Sequence, residues 1–423
     1  MKNGQPTSEI GLYGLGVMGR NLALNIEDKG FRISVYNRME AGEHQLLTNF
    51  MNDEAKATRI RGFKNLKQFV QSLQKPRKII MMIPAGNPVD EVIDQLLPLL
   101  DRRDIIIDGG NSNYKDTERR VKALENHEIK FVGMGISGGE EGARKGPSLM
   151  PGGNQEAWEY IKPICRAIAA KNPNGNACCE WMGRSGAGHF VKMVHNGIEY
   201  ADMQLLAECY HYLQEMTDLS HDEMASVIET WNNGFLSSYL TEITVDILRK
   251  KDAKGEPLLE KILDVAGQKG TGKWTAVNAL DVGVPVPIIT QAVIQRFLSS
   301  FVSLRANIAD ELSTLPVKSS TKTETETETK TDTATITEDL EKAFTAARII
   351  AHHEGFMLIK EASAEYDWDI NLAAIAKIWQ GGCIIRSNML EVVESSFYKG
   401  FSHILEVPYF SGKLSQSIHG FRK

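Results

Sequence analysis

Glu9-Ile10-Gly11-Leu12-Tyr13-Gly14-Leu15-Gly16-Val17-Met18-Gly19 decides the fold of this chain. Glu9 to Tyr13 reads as a short strand that runs into a G-x-G-x-x-G turn. Arg20 to Lys29 then carries a helical pattern, and Arg32 to Tyr36 reads as a second strand. A lone glycine triplet says little, but strand, glycine turn, helix and strand in this order form a βαβ unit suited to a dinucleotide. Gly14 makes the turn, Gly16 lets a pyrophosphate approach the backbone, and Gly19 packs helix on strand. The helix N-terminus then faces the phosphates.

The end of the second strand indicates which dinucleotide. An NAD site places Asp or Glu there for the ribose hydroxyls, whereas this chain has Asn37-Arg38, neutral and then cationic, where a 2′-phosphate would lie. NADP is the expected cofactor.

Outward from this unit the alternation continues. Lys78 to Ile83, Asp104 to Asp108 and Lys130 to Met134 read as strands, with helices near Val89 to Leu100 and after Tyr114. The pattern predicts a Rossmann-like, doubly wound parallel sheet over residues 1–183. Ligands of such sheets gather at the carboxyl ends of strands, where Pro84-Ala85-Gly86, Gly109-Gly110-Asn111-Ser112 and Gly135-Ile136-Ser137-Gly138-Gly139 fall. Ser137-Gly138-Gly139 offers a hydroxyl and successive backbone N–H groups to a carboxylate; a plain turn is the alternative.

Residues 184–423 read as a large all-α domain. Apolar residues recur at three and four in His211 to Leu213, Ala225 to Trp231, Ile243 to Leu248, Leu258 to Val265, Thr290 to Ser303 and Ala343 to Tyr366. Within it, residues 318–338 alternate threonine with charge and contain almost nothing to bury, so a disordered loop is expected. His352-His353-Glu354 lacks the HExxH order and reads as surface or core, and no metal is expected. Ala266-Gly267-Gln268-Lys269-Gly270-Thr271-Gly272-Lys273-Trp274 lacks P-loop spacing and reads as a cationic loop for a substrate phosphate, with Arg296 as a candidate partner.

The first helix of this region carries the chemistry. In the stretch from Gly186 to Tyr200, Val191, Val194 and Ile198 cover one apolar face, while Lys192, His195, Asn196 and Glu199 form a second stripe beside it. Lys192 and Glu199 stand roughly 10 Å apart along the axis, too far for a simple ion pair and suited to bracketing a small polyol acid. Ordinary i, i+4 pairing on a solvated face is the alternative.

Composition limits the remaining classes. The net charge of −6 gives no support for nucleic acid or an anionic membrane surface. No apolar run approaches a transmembrane span, and the polar start lacks a signal peptide's apolar core. Five cysteines, an odd number with Cys178 and Cys179 adjacent, show no disulfide framework. A soluble, cytoplasmic protein is expected.

Six segments carry a resemblance that covers nearly the whole chain: Gly-Leu-Gly-Val-Met-Gly-Arg-Asn at 14–21, Ile-Asp-Gly-Gly-Asn-Ser at 107–112, Gly-Ile-Ser-Gly-Gly-Glu-Glu-Gly-Ala-Arg at 135–144, Gly-Pro-Ser-Leu-Met-Pro-Gly-Gly at 146–153, His-Phe-Val-Lys-Met-Val-His-Asn-Gly-Ile-Glu-Tyr at 189–200, and Ala-Gly-Gln-Lys-Gly-Thr-Gly-Lys-Trp at 266–274. The chain resembles the decarboxylating 6-phosphogluconate dehydrogenase family of the pentose phosphate pathway and gluconate utilization. The resemblance implies oxidation and decarboxylation of 6-phosphogluconate to ribulose 5-phosphate with reduction of NADP. It implies Lys192 as general base and acid and Glu199 as second acid, with Asn111, Ser137, Gly138, Gly139, His195, Asn196, Tyr200, Lys269 and Arg296 holding the substrate. The cofactor set becomes Gly14, Leu15, Gly16, Val17, Met18, Gly19, Asn37, Arg38, Met39, Ile83, Pro84, Ala85 and Asn111. A homodimer joined through the helical domains is also implied.

Three departures from the family pattern stand out. Met39 replaces the usual threonine after Asn-Arg, and Pro84 replaces a polar or basic residue beside the cofactor. The family also continues past the position of Lys423 into a tail that enters the neighbouring subunit, so the sequence reads as C-terminally truncated. Two rival readings follow. A β-hydroxyacid dehydrogenase would share the fingerprint and lysine but lack the loop around Lys269, and a catalytically weak NADP-binding or dimerising homologue would share the fold.

Overall fold

The structure, a computed structural model, describes residues 8–38, 42–43, 45–313 and 332–421. The chain forms two compact units. The first comprises Met1–Asn196, Asp281–Val284 and Phe356–Ser402; the second comprises Gly197–Leu280, Pro285–Gly355 and His403–Lys423.

The first unit is built on an eight-stranded sheet of β1 (Ile10–Tyr13), β2 (Ile33–Tyr36), β3 (Arg61–Phe63), β4 (Lys78–Met81), β5 (Ile105–Asp108), β6 (Lys130–Ser137), β7 (Ser148–Gly153) and β8 (Gly183–Arg184), in the order β3-β2-β1-β4-β5-β6-β7-β8. All neighbours pair in parallel except β6 and β7, which are antiparallel. The connecting helices are α1 (Val17–Asp28), α2 (Leu46–Asn52), α3 (Leu66–Gln71), α4 (Asn87–Leu96), α5 (Tyr114–Glu125), α6 (Gly139–Lys145) and α7 (Gln155–Ile168), followed by α8 (Ala187–Met216). Successive strand residues point to opposite faces, and the apolar clusters follow that alternation. Leu12, Ile80, Ile105 and Ile107 belong to one core, whereas Tyr13, Ile79, Met81 and Ile106 belong to another. A sheet covered on both faces needs near-continuous apolar strands, and Ile105-Ile106-Ile107 supplies one.

Glycines set how closely α8 lies on the sheet. A Cβ at Gly188 would meet Met150 O at 2.5 Å and Gly152 N at 2.6 Å, and one at Gly135 would overlap the Lys192 Cβ. Gly133 and Gly135 lie two apart on β6 and so share one face. Side chains there would lift the helix, and Lys192 with it.

The expected doubly wound sheet followed by helices is what forms, with local differences. β6 runs to Ser137 instead of ending at Met134, so Gly135 and Ile136 are strand residues and Gly138-Gly139 alone make the exit. β3, β7 and β8 gave no readable signal. Ser148-Leu149-Met150-Pro151-Gly152-Gly153 has the composition of a loop, and tertiary pairing with β6 overrides that propensity.

The second unit is helical, with α9 (His221–Asn232), α10 (Tyr239–Arg249), α11 (Thr271–Asp281), α12 (Pro287–Ser300), α13 (Val302–Ser313) and α14 (Thr333–Glu365). Ser220 starts α9 with a reciprocal capping box to Glu223. Inside this unit Arg348, 1% exposed, donates to Leu236 O at 2.9 Å and Ser238 Oγ at 2.7 Å and pairs with buried Asp202. Breaking such a buried pair on one side costs about 3–5 kcal/mol.

Three helical expectations need correction. Leu258 to Val265 contains only a 3-10 turn at Leu259–Lys261, and its Ile262 and Leu263 are exposed, so the apolar spacing there marks no core face. Thr290 to Ser303 is interrupted at Phe301, which ends α12 before α13 begins. Of the expected loop 318–338, residues 318–331 lie outside the described residues, but Thr333 to Glu338 are the start of α14. Asp332 accepts from Thr335 N at 2.8 Å and caps that start.

Candidate active site

The glycine turn of the first unit forms as its spacing demands. Gly14 has φ +105°, a conformation that favours glycine, and a Cβ there would come within 3.0 Å of the Ile83 Cγ2. Gly19 is shut against Gly14 O, whereas a Cβ at Gly16 would meet nothing within 4 Å. The open side of Gly16 is therefore where a diphosphate can approach the N-terminus of α1. Leu15 N donates to Asn37 Oδ1 at 2.8 Å, which latches the turn to the end of β2.

Gly14, Gly16, Asn37, Arg38, Ile83 and Pro84 line one cleft of about 300 Å³. Six of the expected cofactor residues thus come together. Leu15 and Gly19 are buried behind the turn, Val17 and Met18 begin α1, and Ala85 and Asn111 are exposed outside the cleft lining. Met39 lies outside the described residues. Arg38 Nη2 donates to Glu43 Oε1 at 2.6 Å, and Asn37 Nδ2 to Glu43 Oε2 at 3.2 Å. Sequence reading missed Glu43, since no fixed spacing ties it to the end of β2.

Arg120 fixes the neighbouring strand exits. Its guanidinium, 1% exposed, donates to Gly86 O at 2.9 Å and to both Asp90 oxygens, and it pairs with Asp108. The Arg120 and Arg119 hydrogen bonds hold the Asp90 carboxyl down at about 2. Asp108 in turn accepts from Ser112 Oγ at 2.6 Å and Gly110 N at 3.0 Å.

At the other end of the sheet, Ser137 closes β6 and Gly138, with φ +116°, makes the exit. A Cβ on Gly138 would lie 2.6 Å from Gly382 O. Lys192 and His195 are 6% and 0% exposed. Lys192 Nζ donates to Asn196 Oδ1 at 2.6 Å, and His195 Nδ1 lies 3.1 Å from the same oxygen. An ammonium has no acceptor capacity, so Oδ1 is the acceptor and His195 carries its proton on Nδ1. Its Nε2 lies 3.2 Å from Ser137 Oγ. Trp379 stands edge-on to the imidazole at 5.6 Å.

His189, one turn earlier on α8, anchors this cluster to the sheet. Its Nε2 meets Asp108 O at 3.1 Å and its Nδ1 meets Thr117 Oγ1 at 2.6 Å. Full burial pushes its pKa down. A neutral ring therefore donates from Nε2 to the carbonyl and accepts from threonine.

The second unit holds the remaining expected residues. Glu199 is half-buried and Tyr200 is buried on α8. The Arg296 guanidinium stacks over the Tyr200 ring at 3.6 Å, and its Nη1 donates to Gly267 O at 2.6 Å. Ala266 N donates to Ser299 Oγ at 3.0 Å, so α12 holds the start of the cationic loop at two points. A Cβ on Gly272 would lie 2.6 Å from the Tyr200 ring, which explains the glycine after Thr271. Lys269 is exposed. His352 is a core residue, with Nδ1 3.0 Å from Arg348 O. Glu354 accepts from Ile288 N and Ile289 N, both at 3.1 Å, at the N-terminus of α12.

A glycine-turn cleft at the exit of β1, together with a buried lysine hydrogen-bonded to an amide oxygen that a buried histidine shares, defines a dinucleotide-dependent dehydrogenase with a helical second half. Residues 9–183 match the family model described as the NAD binding domain of 6-phosphogluconate dehydrogenase, and residues 188–423 match that of its C-terminal domain. The chain belongs to the 6-phosphogluconate dehydrogenase family. It is 50% identical over 419 residues to the decarboxylating 6-phosphogluconate dehydrogenase of Haemophilus influenzae, covering 98% of this chain and 83% of that one. It is 49% identical over 393 residues to the mouse protein of the same name, covering 92% and 78%. Among solved structures, the Plasmodium falciparum 6-phosphogluconate dehydrogenase, described in apo form and with NADP+ or 6-phosphogluconate, superposes with a TM-score of 0.89 at 37% identity over 98% of this chain and 87% of that one. A 3-hydroxyisobutyrate dehydrogenase of Mycobacterium tuberculosis shares the fold, with a TM-score of 0.52 at 16% identity over 70% of this chain and 94% of that one.

Proposed function

We propose that this chain oxidises and decarboxylates 6-phosphogluconate to ribulose 5-phosphate and carbon dioxide, with reduction of NADP, the reaction for which its relatives are named. The Plasmodium falciparum relative binds NADP+ and 6-phosphogluconate, and both ligands are assigned here by that likeness. The observation that carries the reading is the buried Lys192, hydrogen-bonded to Asn196 Oδ1 beside His195.

The open face of Gly16 and the cleft at Arg38 suit NADP, which when bound takes the hydride from the substrate C3. The cofactor would be held by the turn from Gly14 to Gly19, by Asn37 and Arg38 at the ribose 2′-phosphate, and by Ile83, Pro84, Ala85 and Asn111 at the neighbouring strand exits. Lys192, as the neutral amine, removes the proton of the 3-hydroxyl and so becomes the ammonium, a transfer that its buried surroundings rather than water govern. Once protonated, it donates a hydrogen bond to the 3-keto oxygen as the C1 carboxylate leaves as carbon dioxide. The electron pair of the broken C1–C2 bond forms the enediol between C2 and C3, and Glu199 delivers a proton to the former C2, which becomes C1 of ribulose 5-phosphate. His195 and Asn196 orient the lysine, while Ser137, Gly138, Gly139 and Asn111 hold the carboxylate and hydroxyls. Tyr200, Lys269 and Arg296 take the phosphate end, where an arginine fork and an ammonium suit a dianion.

We assign residues 1–183 to cofactor binding and 184–423 to the substrate and to dimerisation. In support of a homodimer, α13 has no buried residue, and Phe301, Leu304 and Leu312 on or beside it are 52%, 55% and 57% exposed. Such an apolar surface suits an interface. No described helix is long and apolar enough to cross a membrane, and a cytosolic location fits the buried free cysteines. The reading is tested by incubating the protein with 6-phosphogluconate and NADP while following absorbance and carbon dioxide together. Equal molar yields of NADPH and carbon dioxide are expected. NADPH without carbon dioxide would indicate a simple hydroxyacid dehydrogenase, and neither product would indicate a binding homologue.

A further inference from the structure

The NADP cleft contains a carboxylate where a phosphate-binding site has no evident need of one. Glu43 lines the cleft with Arg38 and Asn37 and takes a hydrogen bond from each, at 2.6 Å and 3.2 Å. Glu91 lines the same cleft. The Arg38 hydrogen bond holds the Glu43 carboxyl below its ordinary range, so it is an anion at neutral pH. Both side chains of the pair remain partly exposed, Arg38 at 42% and Glu43 at 33%.

We propose that Glu43 is a cofactor-selectivity residue that competes with the NADP 2′-phosphate for Arg38 and so narrows the preference for NADP over NAD. The proposal rests on the reading that Arg38 meets the 2′-phosphate. A 2′-phosphate carries about 1.5 to 2 negative charges at neutral pH. To bind it, Arg38 must either leave Glu43 or hold two anions at once, and the second choice sets like charges side by side. NAD presents a neutral 2′-hydroxyl at the same place. That group can donate to a carboxylate, as the acidic residue of an NAD site accepts from it. Glu43 therefore opposes NADP while tolerating NAD. A pair with this exposure is worth up to about 1 kcal/mol, which corresponds to a change of about two- to fivefold in the affinity ratio.

The test titrates the 423-residue chain with NADP, NAD and 2′-AMP, comparing wild type, Glu43→Gln and Arg38→Gln. Glu43→Gln is expected to tighten NADP and 2′-AMP about two- to fivefold and to leave NAD within about twofold. Arg38→Gln is expected to weaken NADP and 2′-AMP and spare NAD. If Arg38→Gln behaves so while Glu43→Gln leaves the NADP-to-NAD ratio unchanged or lowers it, the selectivity role is overturned and the Arg38 reading stands. Should Arg38→Gln weaken both cofactors equally, the premise fails and the proposal with it. Retained NAD binding reports an intact cleft, and if Glu43→Gln loses it, Glu43→Ala is judged by the same ratio.

Discussion

Replacing Gly135 by alanine tests the link between the sheet and the proposed catalytic lysine. The added methyl would overlap the Lys192 Cβ, lie 3.0 Å from its Cγ and lie 3.3 Å from Gly188 O. Comfortable carbon contacts fall near 3.5–4.0 Å, so α8 or β6 must move by roughly 1–1.5 Å. Overpacking of this kind costs about 1–3 kcal/mol, which for a unit of this size corresponds to a fall in Tm of roughly 1–6 °C. The catalytic cost is larger, because a displacement near 1 Å of a reacting group lowers turnover by about a hundredfold. Gly135 lines no part of the cofactor cleft, so NADP affinity is expected to stay within about twofold of wild type. The assay combines initial rates of NADPH formation at saturating 6-phosphogluconate, a fluorescence titration of NADP and a thermal melt. A variant that keeps kcat within twofold of wild type while remaining folded would refute the idea that these glycines place Lys192.

Two further outcomes use the same contrast of crowded and open positions. Gly16→Ala meets nothing within 4 Å, so Tm is expected to hold within about 2 °C while NADP affinity falls at least tenfold, because the methyl stands where the pyrophosphate approaches; a lowered Tm with unchanged affinity would contradict this. Glu354 supplies the pH dependence. Burial raises its carboxyl from 4.5 to about 7, against the opposing effect of the two N–H groups it accepts from. A raised native value favours the protonated form, so its stabilisation is complete below pH 4.5 and is lost as pH rises to about 7. Relative to Glu354→Gln, wild type should lose about 3 kcal/mol over that window, read as a narrowing Tm difference in paired melts; a constant or widening advantage would refute the assignment.

How far the sequence reveals these features depends on how local their causes are. Gly14, Gly16 and Gly19 are legible because one turn imposes three separate steric demands within six residues. The Lys192, His195 and Asn196 stripe is legible for a similar reason, since one helix fixes its spacing and Asn196 Oδ1 joins the other two. Trp379 and Gly382, brought beside His195 and Gly138 from far along the chain, leave no such local trace. β7 escaped notice because Pro151, Gly152 and Gly153 suppress every propensity signal, and only pairing with β6 makes it a strand. Leu258 to Val265 errs in the opposite direction: the apolar spacing is present, but among the described residues Ile262 and Leu263 stay 60% and 67% exposed. Periodicity reports which residues seek cover and cannot say what covers them.

The central claim is that the buried Lys192 moves the protons of an NADP-dependent oxidative decarboxylation. It is tested most directly by measuring kcat of Lys192→Ala for NADPH formation from 6-phosphogluconate alongside NADP affinity in the same preparation. Turnover is expected to fall by at least about a thousandfold, as for loss of a general base, with NADP affinity within about twofold of wild type. Turnover retained within tenfold, in a variant that binds NADP normally, would contradict it.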